Sequence, residues 1–149
     1  EAGGVLCAIS SLPGTFGIGD FGKHAYQWID ALAQSKSTLW QILPLNPLGY
    51  GNSPYQSYSA FAGDEIYISI ESLYTSMDLE VPHLNVKADR VDYEAVRGVK
   101  TRYLKEAFKQ FVPNTKYQQF EKETPWLHDY ATLWRCANVM DLRRGLNGR

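Results

Sequence analysis

Two short apolar runs, Gly4–Ser10 and Thr38–Leu43, flank a segment in which Phe21, Ala25, Trp28, Ile29, Leu32 and Ala33 recur at helical spacing. Continuous runs of this length suit strands buried on both faces. The segment between them carries one apolar stripe of an amphipathic helix, with Asp20 where its N-cap is expected. Strand, helix, strand with short joints is a βαβ unit, so the strands are expected parallel and the crossover right-handed. In such folds the loops leaving the C-terminal ends of the strands form the ligand face. Two loops rich in Gly and Pro leave there, after Ser10 and after Leu43, and are expected side by side at one mouth.

The remainder has a different character. A helix is expected from about Ser69 to Met77, followed by a polar connector, Glu80–Val91, that contains Pro82. Asp92 then caps a helix whose apolar positions are Val96, Val99, Tyr103, Leu104, Ala107, Phe108 and Phe111, closed by Pro113. A short helix follows over Lys116–Lys122. Thr124-Pro125 reads as N-cap and first-turn proline of a last helix with Trp126, Leu127, Tyr130, Leu133 and Trp134 inward. No strand alternates with these helices. The expected division is therefore 1–68, strands with loops, and 69–149, an incomplete helical subdomain. Two strands do not make a stable parallel sheet, and a closed barrel takes roughly 250 residues. The chain is expected to be the N-terminal portion of something larger.

Composition narrows the function. A net charge of -1 gives no electrostatic footprint for nucleic acid or an anionic membrane. No apolar run approaches the roughly 18 residues of a membrane span. Cys7 and Cys136 fit neither a metal spacing nor a disulfide framework and are expected as free, mostly buried thiols in a reducing compartment. The chain reaches its first strand within a few residues of Glu1, so no targeting segment is read and a cytoplasmic location is expected.

The stretch after the second strand is the most informative for chemistry. From Pro44 to Asp64 it spends about twenty residues on Gly, Pro, Asn, Ser and Tyr without periodicity, and loops that long are usually functional or disordered. Tyr50, Tyr55, Tyr58 and Phe61 argue against disorder. Rings among small polar side chains suit a flat, hydroxyl-rich ligand such as a sugar: ring faces cover C–H surface while phenol, Ser and Asn groups supply hydrogen bonds. A loop packed for structure alone is the competing explanation.

Other signals are weaker. Gly17-Ile18-Gly19-Asp20-Phe21-Gly22 matches a dinucleotide-binding pattern, but Asp20 would face the pyrophosphate and no ribose-binding acid follows at Ile42-Leu43-Pro44. Loop glycines capping a helix explain it better. His24, His83 and His128 lack ligand spacing, so no metal site is expected. Retaining glycosidic chemistry needs two carboxyl groups about 5–5.5 Å apart. Neither strand ends in an acid; Asp20 suits a cap, Asp30 a mid-helix position and Asp64 a turn.

The block Gly49–Asp64 strongly resembles the 4-α-glucanotransferases, amylomaltase or disproportionating enzyme, of glycoside hydrolase family 77. The resemblance runs back through Leu39–Leu45, Ser10–Gly14 and Gly17–Asp20, and forward through Val91-Asp92-Tyr93 and, more loosely, Trp126–Ala131. It covers the chain to about Leu133 and leaves Trp134–Arg149 unmatched. It implies an α/β fold, the N-terminal part of a (β/α)8 TIM barrel with a helical insertion subdomain. The implied activity transfers an α-1,4-glucan segment from donor to acceptor with retention, through a covalent glycosyl-enzyme and without a cofactor. Ser53 and Tyr55 map onto residues that contact sugar near the scissile bond, and Tyr50 onto an aromatic linked to glucan binding outside it. The catalytic carboxylates of the family lie on later strands, so none is expected in this chain. The implied partners are α-1,4-glucans (maltooligosaccharides, starch, glycogen), and a plant protein of this kind would sit in the plastid. A non-catalytic glucan-binding module and a nucleotide-binding α/β domain are the alternatives.

Overall fold

The computed structural model describes residues 3–48, 52–53, 55–84, 86 and 89–146, with side chains to residue 136. Gly4–Leu6 (β1) and Leu39–Gln41 (β2) pair in parallel, Gly4 beside Leu39 and Leu6 beside Gln41, around the helix Lys23–Gln34 (α1). The expected βαβ arrangement is present, but its strands are three residues each rather than seven and six. The reason lies just past Leu6. Cys7 still donates its N–H to the Gln41 carbonyl, and Trp40 Nε1 donates to the Cys7 carbonyl at 2.9 Å. Beyond that the chain curls into a 3-10 turn over Ile9–Ser11 that drops Ile9 into the core.

The strands are also not buried on both faces. Leu6 is 62% and Leu39 60% exposed, whereas Trp40 packs against Trp28 of α1 and the cluster that includes Ile9 and Ile18. On α1 only Ala25 and Leu32 are buried, and Trp28 is half-buried edge-on to Trp40; Phe21, Ile29 and Ala33 of the expected stripe face outward. Nor does Asp20 cap α1. The helix starts after Gly22, whose N–H donates to Asp20 Oδ1 at 3.0 Å.

The described residues form two compact units, one within Glu1–Tyr58 and Gly63–Phe111, the other within Ser59–Ala62 and Val112–Arg149. These contacts divide the chain at different points from the expected 68/69 boundary. In the first unit, the core is built from loops as much as from regular elements. Ile9 and Ile18 pack with Ile66, Tyr67 and Val96, with Leu45 against them, so the bases of the two strand-exit loops share one cluster. Phe16 packs with Ile70, Tyr74 and Ala107. The glycines permit this close approach. A Cβ on Gly19 would lie 2.0 Å from the Ile9 carbonyl oxygen, and Gly17 adopts φ +80°.

Two helices complete the unit. Ile70–Ser76 (α2) is capped by Ser69, and Tyr93–Lys109 (α3) by Asp92, whose carboxylate accepts from Ala95 N–H. The inward face of α3 runs through Val96, Lys100, Tyr103 and Ala107 rather than through the apolar residues alone. Phe108, expected inward, is 72% exposed and stacks on Phe111. Lys100 holds the position that a purely apolar pattern passes over. It is 1% exposed, and its ammonium donates to Asp20 Oδ2 at 2.7 Å, the Ile66 carbonyl at 2.8 Å and the Ile68 carbonyl at 2.9 Å. All three donors are used. Burial lowers its pKa below the ordinary lysine value, against the opposing pull of Asp20.

One turn before it, Arg97 makes a bidentate pair with Asp64, at 2.9 and 2.8 Å, and reaches Glu65 at 3.0 Å. Asp64 Oδ1 also accepts from Ile66 N–H, capping the 3-10 turn Glu65–Tyr67, and Oδ2 from Leu48 N–H. Burial pushes the Asp64 carboxyl up, but Arg97 and the two backbone donors outweigh it and hold it below the usual 3.8. The turn assignment for Asp64 stands, with a larger structural part than a turn residue plays.

In the second unit, Thr115–Glu123 (α4) is capped by Asn114 and Leu127–Leu146 forms α5. Thr124 does not cap α5: its hydroxyl donates back to the Phe120 carbonyl, closing α4 instead. Trp126 and Tyr130 are half-buried, whereas Leu133 and Trp134 are exposed and not inward as expected. Cys136 is exposed too, contrary to the expected burial of both thiols.

Removing Lys100 as Lys100→Met strands the Asp20 carboxylate and two carbonyls, so it should destabilise the fold by about 3–5 kcal/mol in a denaturant titration. Asp64 gives a pH signature. Its folded pKa is depressed, so its contribution is complete above the unfolded value and lost as pH falls through the folded one. Stability should therefore drop on acidification below the ordinary aspartate value of 3.8, and Asp64→Asn should flatten that limb of a stability-against-pH curve.

Candidate functional site

The loop between Leu45 and Asp64 is tied at its feet. Asp64 N–H donates to the Leu45 carbonyl at 2.8 Å, and Leu48 N–H reaches Asp64 Oδ2 at 3.0 Å. Between those anchors Ser53 and Ser59 each accept backbone N–H groups from the residues that follow them. Ser53 is half-buried; its hydroxyl accepts from Tyr55 N–H at 3.3 Å and its carbonyl from Gln56 N–H at 3.3 Å. The Ser53 hydroxyl can still donate outward while it accepts from the turn. Tyr55 is 75% exposed, so its ring faces are open to solvent, and Tyr58 is exposed as well. Ser53 and Tyr55 thus share one turn, with a hydroxyl and an open ring two residues apart. Tyr50 lies outside the described residues.

Of the loop's other aromatics, Phe61 belongs to the second unit, where it stacks on Trp126 at 6.0 Å between centroids; Trp126 in turn meets Tyr130 edge-on. An open, mainly apolar hollow of about 480 Å³ lies at the loop's feet, lined by Phe21, Leu45, Asp64, Tyr67, Ile68 and Leu73 among others. Ser53 and Tyr55 are not among its walls. Burial raises the Tyr67 phenol pKa there, and the Tyr93 and Asp64 charges add to it.

The acids near this loop are spent on structure. Asp20 serves Lys100, and both oxygens of Asp64 are saturated by Arg97 and backbone donors. Asp30 sits on the exposed side of α1. Sequence reasoning missed both cations. The signal for Lys100 was its place four residues after Val96 and seven before Ala107, on the buried stripe; for Arg97 no local pattern exists. Among the described residues no group of three His, Cys, Asp or Glu is placed to hold a metal ion, and no helix is long and apolar enough to cross a membrane.

Comparison with known proteins gives a consistent result. Residues 7–141 match the family described as 4-alpha-glucanotransferase, glycoside hydrolase family 77. The match reaches Asp141, eight residues past the end of the resemblance seen at Leu133, so the first part of the Trp134–Arg149 segment lies within it. A 4-alpha-glucanotransferase of Streptococcus pneumoniae is 41% identical over 93% of this chain and 29% of its own length. One from Synechocystis is 42% identical over 86% of this chain and 28% of its own. The chloroplastic/amyloplastic enzyme of Solanum tuberosum is 32% identical over 93% of this chain. Among solved structures, amylomaltase from Streptococcus agalactiae in complex with acarbose superposes with a TM-score of 0.78 at 35% identity, over 87% of this chain and 28% of that one. The chain spans less than a third of the length of these relatives. A family match over nearly the whole sequence, joined to a close structural likeness, places this chain in glycoside hydrolase family 77, the 4-α-glucanotransferases.

Proposed function

We propose that this chain is the N-terminal portion of a 4-α-glucanotransferase that moves an α-1,4-glucan segment from a donor to an acceptor glucan with retention, through a covalent glycosyl-enzyme. The observation that carries the proposal is the family match over residues 7–141. The open turn at Ser53 and Tyr55 supports it. In this reading residues 1–68 supply the first two strands of a (β/α)8 barrel, its first helix and the glucan-binding loop, and 69–149 begin a helical insertion subdomain. The exposed faces of Leu6 and Leu39 are then surfaces for the next barrel strands.

The chemistry divides between parts of the polypeptide. Tyr55 offers a ring face to the C–H surface of a glucose unit, and Ser53 a hydroxyl to its oxygens. By the family resemblance Tyr50 would contact glucan outside the cleavage point. These groups fix the glucan against the scissile position, which converts a bimolecular encounter into an oriented one. The nucleophile and the acid/base, two carboxyl groups about 5–5.5 Å apart in a retaining enzyme, come from polypeptide outside this sequence. No cofactor is required. Maltooligosaccharides, starch and glycogen are the proposed substrates, in the cytoplasm or, in a plant, the plastid.

The complete enzyme should release glucose and longer glucans from maltotriose, and the 149-residue chain alone should not. Tyr55→Ala in the complete enzyme should lower kcat/KM by roughly ten- to a hundredfold, about 1.4–2.8 kcal/mol of transition-state stabilisation. Unchanged disproportionation of maltotriose would remove Tyr55 from the site. Saturable binding of maltoheptaose by a complete protein that makes no product would instead assign a non-catalytic glucan-binding module.

A further inference from the structure

We infer that Arg97 is a positioning residue for glucan transfer: by clamping Asp64 it holds both feet of the loop that carries Ser53 and Tyr55. The inference rests on the proposed reading of that loop as a glucan-contacting element. The geometry centres on one carboxylate whose side chain is wholly buried. Each oxygen of Asp64 takes one backbone N–H and one guanidinium N–H. Oδ1 accepts from Ile66 N–H and Arg97, and Oδ2 from Leu48 N–H and Arg97. Leu48 lies on the incoming foot of the loop and Asp64 on the outgoing one, where its own N–H also reaches the Leu45 carbonyl. One side chain therefore joins the two feet to each other and to α3.

The two cations of α3 divide the labour. Lys100 is buried and binds Asp20 and the carbonyls of Ile66, a core residue, and Ile68. The Arg97 side chain is 33% exposed, and among the described residues its polar atoms contact Asp64 and Glu65. Its loss leaves Val96 and Lys100 in place, but strips a buried carboxylate of its counter-charge and half of its donors. A buried charge so exposed to imbalance is relieved by movement of the groups around it, and those groups are the loop's feet. The planar fork is required for two parallel bonds, which an ammonium cannot make.

The test uses the complete enzyme that contains this segment, with Arg97→Met, Arg97→Lys and Asp64→Asn, alone and with Tyr55→Ala. Three quantities are read: chymotrypsin cleavage after Tyr55 and Tyr58, kcat and KM for maltotriose, and Tm. Below its Tm, R97M should be cut in the loop about tenfold faster than the parent and lose about tenfold in kcat/KM, mainly through KM, since small misplacement of positioning groups is costly. R97K should fall between. In the Y55A background R97M should cost severalfold less in kcat/KM than in the parent, because coupled residues are not additive and only the Ser53 contact is then left to misplace. If R97M does not fold, D64N is read in the same way, as it keeps the side-chain volume. Unchanged loop cleavage and kcat/KM with only a lower Tm would overturn the inference, as would R97M and Y55A effects that multiply. A complete enzyme that fails to act on maltotriose would sink the proposed function, while the cleavage rates would still decide the clamp.

Discussion

An ammonium taken out of water must find a full set of acceptors, and the first unit is arranged to supply them. Lys100 comes from α3, Asp20 from the loop after β1, and the Ile66 and Ile68 carbonyls from the segment leading into α2. Eighty residues separate the two charged partners. Such a pair is weak as a source of net stability, because desolvation offsets most of the attraction. It is strong as a specifier. Only one docking of α3 on the loops satisfies three donors at once, so the pair selects that docking from others that an apolar face would tolerate.

The same helix solves a second problem with a second cation. A loop of about twenty residues carries a closure entropy that grows slowly with length but must still be met by contacts at its ends. Here those contacts converge on Asp64, where four donors meet one carboxylate. Tyr55 stands in solvent, with Ser53 in the turn beside it. Anchored feet and an open Tyr55 ring suit a loop that orients a ligand.

On the proposed function, division of chemistry follows the division of structure. Asp20 and Asp64 are committed to cations, and the two strands keep exposed apolar side chains at Leu6 and Leu39. Binding groups would then precede, and reactive carboxylates follow, in the order of the polypeptide. A barrel permits this because its loops converge on one face whatever their distance in sequence.

Residue type was enough for one local decision: Asp92 caps α3 because a short oxygen-bearing side chain reaches a free N–H group three residues ahead. Ser69 and Asn114 cap their helices in the same way, though neither is read as a cap from the sequence. The parallel strand pair followed from two apolar runs joined by a helix. The block from Tyr50 to Gly63 was specific enough to indicate the family. Where the sequence misled, another partner had claimed a side chain. Asp20 reads as a cap until Lys100, eighty residues on, takes one of its oxygens; Thr124 is a local miss, its hydroxyl turning back to the Phe120 carbonyl one turn before it. Lys100 and Arg97 have no place in the apolar pattern read for α3, and nothing within a few residues of either hints at its acceptors. Capping and periodicity act within a turn or two and so are written in neighbouring residues. The partner of a buried charge is chosen by packing across the chain, and only the folded structure could assign it.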